Sequence, residues 1–192
     1  MATCGDPVPR DLDALGAEMR EMWRRDQESL TDEAEVSWRH RRRLDDLLAV
    51  HMHSGDVLAV SVAGRTFTGR VVAVGPDLVA LATSDGRVDI RTASEPGPRA
   101  SATRTPLMIR LVCPGDAEEG LAGPTDPSSF DARLLELEAA YGDLVVGSDA
   151  LSEELVGVVS LGADHATVVR HGDVAVLART AIAYVRPSVA SI

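Results

Sequence analysis

Arg39-His40-Arg41-Arg42-Arg43 is the densest run of chemistry-bearing side chains in this sequence, with Arg24 and Arg25 one helical segment earlier. Guanidinium groups suit bidentate phosphate recognition, so Arg39, Arg41, Arg42 and Arg43, joined by Arg65 and Arg87 in later turns, are the candidate nucleic-acid contacts. On a helix, however, five consecutive residues ring the circumference instead of forming one stripe. Glu33, Glu35, Asp45 and Asp46 flank the run and can pair with it, so a solvated helix end is the simpler reading. His51-Met52-His53 puts two imidazoles on one face of an extended segment, and His165 and His171 flank a later turn-rich region. No cluster at ligand spacing accompanies them, so no metal site is expected. No nucleophile elbow, phosphate-cradling glycine run or signature carboxylate pair occurs. Glu118-Glu119 and Glu153-Glu154 read as linker and surface charge, and neither a catalytic residue nor a cofactor is expected.

Composition bounds the partners. The chain has 192 residues, a net charge of −11 and two each of Trp, Tyr and Phe, so base-stacking platforms are scarce. With a pI of about 4.8, general affinity for polyanions is disfavoured, because counterion release needs a basic surface. A protein partner or self-association is therefore favoured over RNA or DNA. Apolar residues make up 45%, enough for a sizeable core. Cys4 and Cys113 cannot build a disulfide framework, which fits a reducing cytoplasm. No apolar run is long enough for a membrane helix, and Asp6, Asp11 and Asp13 close behind Met1 do not resemble a secretion signal.

The elements that must carry these residues follow from periodicity. Leu12, Leu15, Met19, Met22 and Trp23 repeat at helical spacing and predict a helix packed on the rest of the chain or on a partner. Residues 29–33 offer a cap for a second helix that carries Ala34, Trp38, Leu44, Leu47 and Leu48 and ends near Val50. From Gly55 the period becomes 2. Strands separated by Ala63-Gly64-Arg65, Gly75-Pro76-Asp77 and Ser84-Asp85-Gly86 predict a meander that curls to bury its apolar face, with a further strand over residues 105–113. Residues 114–128 read as a linker. A helix starts at Ser128 or Ser129 with Phe130, Leu134, Leu137 and Tyr141 on one face and Gly142 at its C′ position. After it come strands at 144–146, 155–161, 166–170 and 174–185, with turns at Gly162-Ala163-Asp164 and His171-Gly172-Asp173.

A shift of 87 residues lays Gly55-Asp56 on Gly142-Asp143 and Gly75-Pro76-Asp77 on Gly162-Ala163-Asp164, turn residues rather than interchangeable valines. A duplication is the expected cause. The stretch Val60-Ser61-Val62-Ala63-Gly64-Arg65-Thr66-Phe67-Thr68-Gly69-Arg70-Val71 resembles the first half of the Sm/LSm signature, in which a Gly-Arg turn, an aromatic and a second glycine follow at this spacing. The resemblance implies an α+β fold in which a helix caps a bent five-stranded antiparallel barrel. Gly64 would make the hairpin turn and Gly69 would let the bent strand pass close to its neighbour. The implied layout is a helical segment at 1–50, a barrel at 51–113, a linker at 114–128, and a helix with a second barrel at 129–192. Gly55, Gly64, Gly69, Gly75, Asp77, Gly162 and Asp164 are its structural turn residues. The uridine pocket of RNA-binding Sm proteins does not carry over, because Gly75-Pro76-Asp77-Leu78-Val79 lacks their asparagine and aromatic. The layout is also similar to actinobacterial proteins of no assigned role, some labelled Fis-type regulators; that label implies a helix-turn-helix, whereas the C-terminus here reads as strands. The expected function is that of a non-enzymatic binding or assembly module.

Overall fold

A computed structural model describes residues 43–92, 107–115 and 128–188, together with residues 17, 19–25, 27 and 37. The chain divides into two compact units, residues 1–43 and residues 44–192. In the first, residues 19–25 are helical, and Glu21 holds Arg24 at 2.7 Å and Arg25 at 3.2 Å. Met19, Met22 and Trp23 of this seam are exposed there. Leu12, Leu15, the cap at 29–33, and Arg39, Arg41 and Arg42 lie outside the described residues.

The second unit is α+β with one open, antiparallel, ten-stranded sheet. It opens with helix α1 (Leu44–Ser54), which has Asp45 and Asp46 in its first turn and His51 and His53 in its last, as the helix dipole favours. The helix runs past Val50, so His51-Met52-His53 is helical instead of extended and its two imidazoles do not share a face. Gly55 at φ +69° ends it: the Gly55 N–H donates to Met52 O and the Asp56 N–H to His51 O, the two bonds of a Schellman cap. Strands β1 (Val57–Val62), β2 (Arg65–Val74), β3 (Leu78–Thr83), β4 (Gly86–Arg91) and β5 (Met108–Cys113) follow. Helix α2 (Phe130–Ala140) is capped by Ser129, whose hydroxyl accepts from the Ala132 N–H. Its end corrects an expectation: Tyr141 leaves in extended backbone, and no left-handed glycine is needed at 142.

The chain then forms β6 (Leu144–Ser148), β7 (Leu155–Leu161), β8 (His165–Arg170), β9 (Asp173–Ala178), a 3₁₀ turn (Arg179–Ala181) and β10 (Ile182–Pro187). The single strand expected over 174–185 is thus two strands. Arg179-Thr180-Ala181 carries no glycine or proline, and the alternation of apolar residues runs through the break and conceals it. Strand order across the sheet is β5-β1-β2-β3-β4-β10-β6-β7-β8-β9. Shifted by 87, the bounds of β3 (78 and 83) and β4 (86 and 91) fall on those of β8 (165 and 170) and β9 (173 and 178).

Two cores result. Leu48 and Met52 of α1 pack with Leu58, Val60 and Leu81 and with Tyr184 of β10. Phe130, Leu134 and Leu137 of α2 pack with Val146, Val168 and Val185 and with Leu78 of β3. Strand β10 therefore serves both cores, Tyr184 facing one and Val185 the other.

Ala63 and Gly64 both have positive φ, the type I′ geometry that suits a two-residue hairpin. At Gly69 an added Cβ would collide with the Ala82 carbonyl, and at Gly157 with the carbonyl of Val169, the residue 87 positions after Ala82. The close approach expected at Gly69 is present. Gly69→Ala is expected to lower the unfolding free energy by about 2–3 kcal/mol, the overpacking range, because a backbone carbonyl must move. Gly64→Ala should lose only about 1 kcal/mol, since its Cβ would meet open space and only φ is strained. Urea denaturation of both variants checks the ranking.

Candidate functional site

Where β4 meets β10, Ile90 lies opposite Tyr184 and Asp89 opposite Val185. The alternation Arg87-Val88-Asp89-Ile90-Arg91 looks like a strand with one solvated face, yet α2 covers that face. Asp89 is fully buried and accepts from Arg87 Nε at 2.8 Å and Arg133 Nε of α2 at 3.1 Å. Arg91, also buried, stands 3.4 Å from Asp77 and 2.7 Å from Asp131, and donates to the carbonyls of Ile182 and Arg179. Its guanidinium lies 4.3 Å from the Phe130 ring centre, a cation–π contact. Asp77 uses its other oxygen to accept the Phe130 N–H at 2.7 Å, satisfying one of the orphan donors at the start of α2. The expected turn residue is therefore also a helix cap.

Beside this joint, Tyr184 meets Phe67 edge to face and donates to Glu154 at 2.8 Å. Burial, with the Glu154 carboxylate next to it, pushes the Tyr184 phenol well above its usual range. Arg186 and Arg65 approach Glu154 at 3.4 and 3.9 Å. Of the candidate nucleic-acid residues, Arg87 is thus engaged by buried Asp89, Arg65 lies at the edge of the Glu154 cluster, and Arg43 is exposed before α1. Arg65 and Arg87 thus pair with different carboxylates, Glu154 and Asp89.

At the end of α1, the His51 ring bonds one Asp56 oxygen at 2.6 Å, and the Gly115 N–H donates to the other at 2.7 Å. This ties the exit of β5 to the entry of β1. The His51 bond, ahead of the Gly115 amide, holds the Asp56 carboxyl below its usual range. A lowered folded-state value gives stability that is present above the ordinary carboxylate range and lost as pH falls through it. Asp56→Asn is expected to lower stability by about 2 kcal/mol at neutral pH, and the difference from wild type should shrink below about pH 4. Denaturant midpoints at both pH values check this; a pH-independent difference would contradict it.

The sheet's outermost strands differ from its centre. Met108, Leu111 and Val112 of β5 and Val174 and Val176 of β9 are exposed, while most of β4 and β10 is buried. Among the described residues neither outer strand pairs along its free side. Ser61, Arg65, Leu107 and Met108 help to line an open cavity of about 390 Å³ where β5 begins. No group of His, Cys, Asp or Glu that could hold a metal occurs among the described residues. None of their helices is long and apolar enough to cross a membrane. The buried pairs were missed at the sequence level because Asp89–Arg133 and Arg91–Asp131 join residues 44 and 40 apart. Comparison with protein-family models, curated proteins and solved structures finds no match to this chain.

Proposed function

We propose that the chain is a non-enzymatic, cytoplasmic binding and assembly module, made of two Sm-like units in tandem (α1 to β5 and α2 to β10), and that it recognises protein rather than nucleic acid. The tandem reading is supported by the strand order, in which β5-β1-β2-β3-β4 is followed by its equivalent β10-β6-β7-β8-β9. The two glycines pressed against equivalent third-strand carbonyls support it independently. Each unit is a helix packed on a bent meander, and its fifth strand returns to pair with its first.

The observation that carries the protein-binding reading is the exposure of apolar side chains on both outermost strands. An edge strand offers unpaired backbone donors and acceptors, and natural edges are normally blunted with charge or covered. Here β9 presents valines. Full burial of a Val, Leu or Met side chain is worth about 1.5–3 kcal/mol, so these strands gain from a covering partner. A cytoplasmic setting accords with the exposed free thiol of Cys113.

The test is a fluorescence titration of the full chain with mixed short RNA and DNA at about 50 and 200 mM salt, conditions between which phosphate-driven binding falls steeply. The expected result is no binding at either. Binding that is lost at the higher salt, and lost when Arg41 and Arg42 or Arg65 and Arg87 become alanine, would replace this reading with the nucleic-acid one.

A further inference from the structure

We propose that the partner of these edges is a second copy of the chain, docked head to tail, so that β9 of one copy pairs with β5 of the next as β4 pairs with β10 inside the chain. This rests on the tandem reading and adds the partner's identity and register. Shifted by 87, Arg87 and Asp89 of β4 become Val174 and Val176 of β9; Asp89 is fully buried, whereas the valines are 63% and 65% exposed. The helices start 86 residues apart, so Phe130 and Arg133 of α2 correspond to Leu44 and Leu47 of α1. Phe130 is buried beside Leu78 and Arg91 of the preceding unit, and Arg133 reaches its Asp89, whereas Leu44 and Leu47 are 39% and 38% exposed.

The charge pair Asp89 and Arg133 at the internal joint thus corresponds to Val176 and Leu47 at the two outer faces. Both members have become apolar together, so the two faces match each other as the two sides of the joint do. A third position agrees. Asp77 caps α2 and its side chain is 12% exposed, while the side chain of Asp164, its equivalent, is 93% exposed and bonds His165 of its own turn. In the docked arrangement Asp164 lies at the start of the next copy's α1.

The internal register transfers directly. Leu58 and Leu144 each stand opposite a pressed glycine, Gly69 and Gly157, so Tyr184 opposite Ile90 and Val185 opposite Asp89 become Met108 opposite Leu177 and Ile109 opposite Val176. The contact is heterologous, so every docked copy still offers one face of each kind.

Full-length proteins carrying Ile109→Cys or Val176→Cys, each with Cys4→Ala and Cys113→Ala, test this under mild oxidation. Mixing the two is expected to give a mixed disulfide dimer that neither gives alone. A slipped pair, Ile109→Cys with Val174→Cys, should give about tenfold less, because a shifted register separates the thiols. Val176 is exposed, so Val176→Arg should leave the circular dichroism unchanged while reducing the mass to that of one chain. Homodimers from Val176→Cys alone would overturn the proposal in favour of β9 pairing with itself. Absence of the mixed disulfide, with a one-chain mass for wild type, would overturn it outright. Either failure leaves the nucleic-acid titration unchanged, whereas failure of the protein-binding reading appears there as salt-sensitive binding.

Discussion

Arg91→Ala is expected to remove about 4 kcal/mol of unfolding free energy, a large share of the 5–15 kcal/mol typical of a domain. The guanidinium is 7% exposed and satisfies two carboxylates and two carbonyls, in the β2–β3 turn, α2, the 3₁₀ turn and β10. Without it, Asp77 keeps its bond to the Phe130 amide but becomes a buried charge with no cation, and the Ile182 and Arg179 carbonyls lose a donor. Breaking a buried pair from one side costs more than the pair contributes, because the surviving charge remains desolvated. Arg91→Lys should recover little, since one ammonium cannot reproduce a planar fork that serves four acceptors and stacks on Phe130. Urea denaturation followed by circular dichroism checks this, and a loss below about 1 kcal/mol would show that the network does not hold the joint.

Asp89→Val is expected to have a similar effect, about 3–4 kcal/mol, by leaving Arg133 and Arg87 without their shared carboxylate. The informative variant adds Arg133→Leu. Together they install at the internal joint the pair of residue types that the outer faces carry at Val176 and Leu47. The double variant should lose less than the sum of the two single losses, by about 2 kcal/mol, a coupling expected when a charge pair is replaced by packed apolar groups. Strict additivity would mean that the two contacts do not share a geometry.

Much of the fold was legible in local chemistry. The positive-φ turns at Gly64 and Gly172, the paired turns at Gly75 and Gly162 and the Ser129 cap are all local signals, and all stand where expected. What failed was non-local or lacked a breaker. The 3₁₀ turn at Arg179–Ala181 interrupts a continuous alternation without glycine or proline, and α1 runs on through His51 and His53, whose types do not mark helix or strand. Asp89 and Arg91 alternate with Val88 and Ile90 as solvent-facing residues would. Only the packing of α2 on that face, some 40 residues later, turns them into buried partners. The exposure of Val174 and Val176 was not legible either, because a valine in an alternating strand does not tell which face is left uncovered.

The most direct measurement is the light-scattering mass of the full chain across about 1–100 µM, alongside Val176→Arg, since a contact between copies makes mass depend on concentration. The account predicts a wild-type mass that rises to multiples of 20.3 kDa, while the variant stays at 20.3 kDa with an unchanged fold. A wild-type mass of 20.3 kDa at every concentration would contradict it.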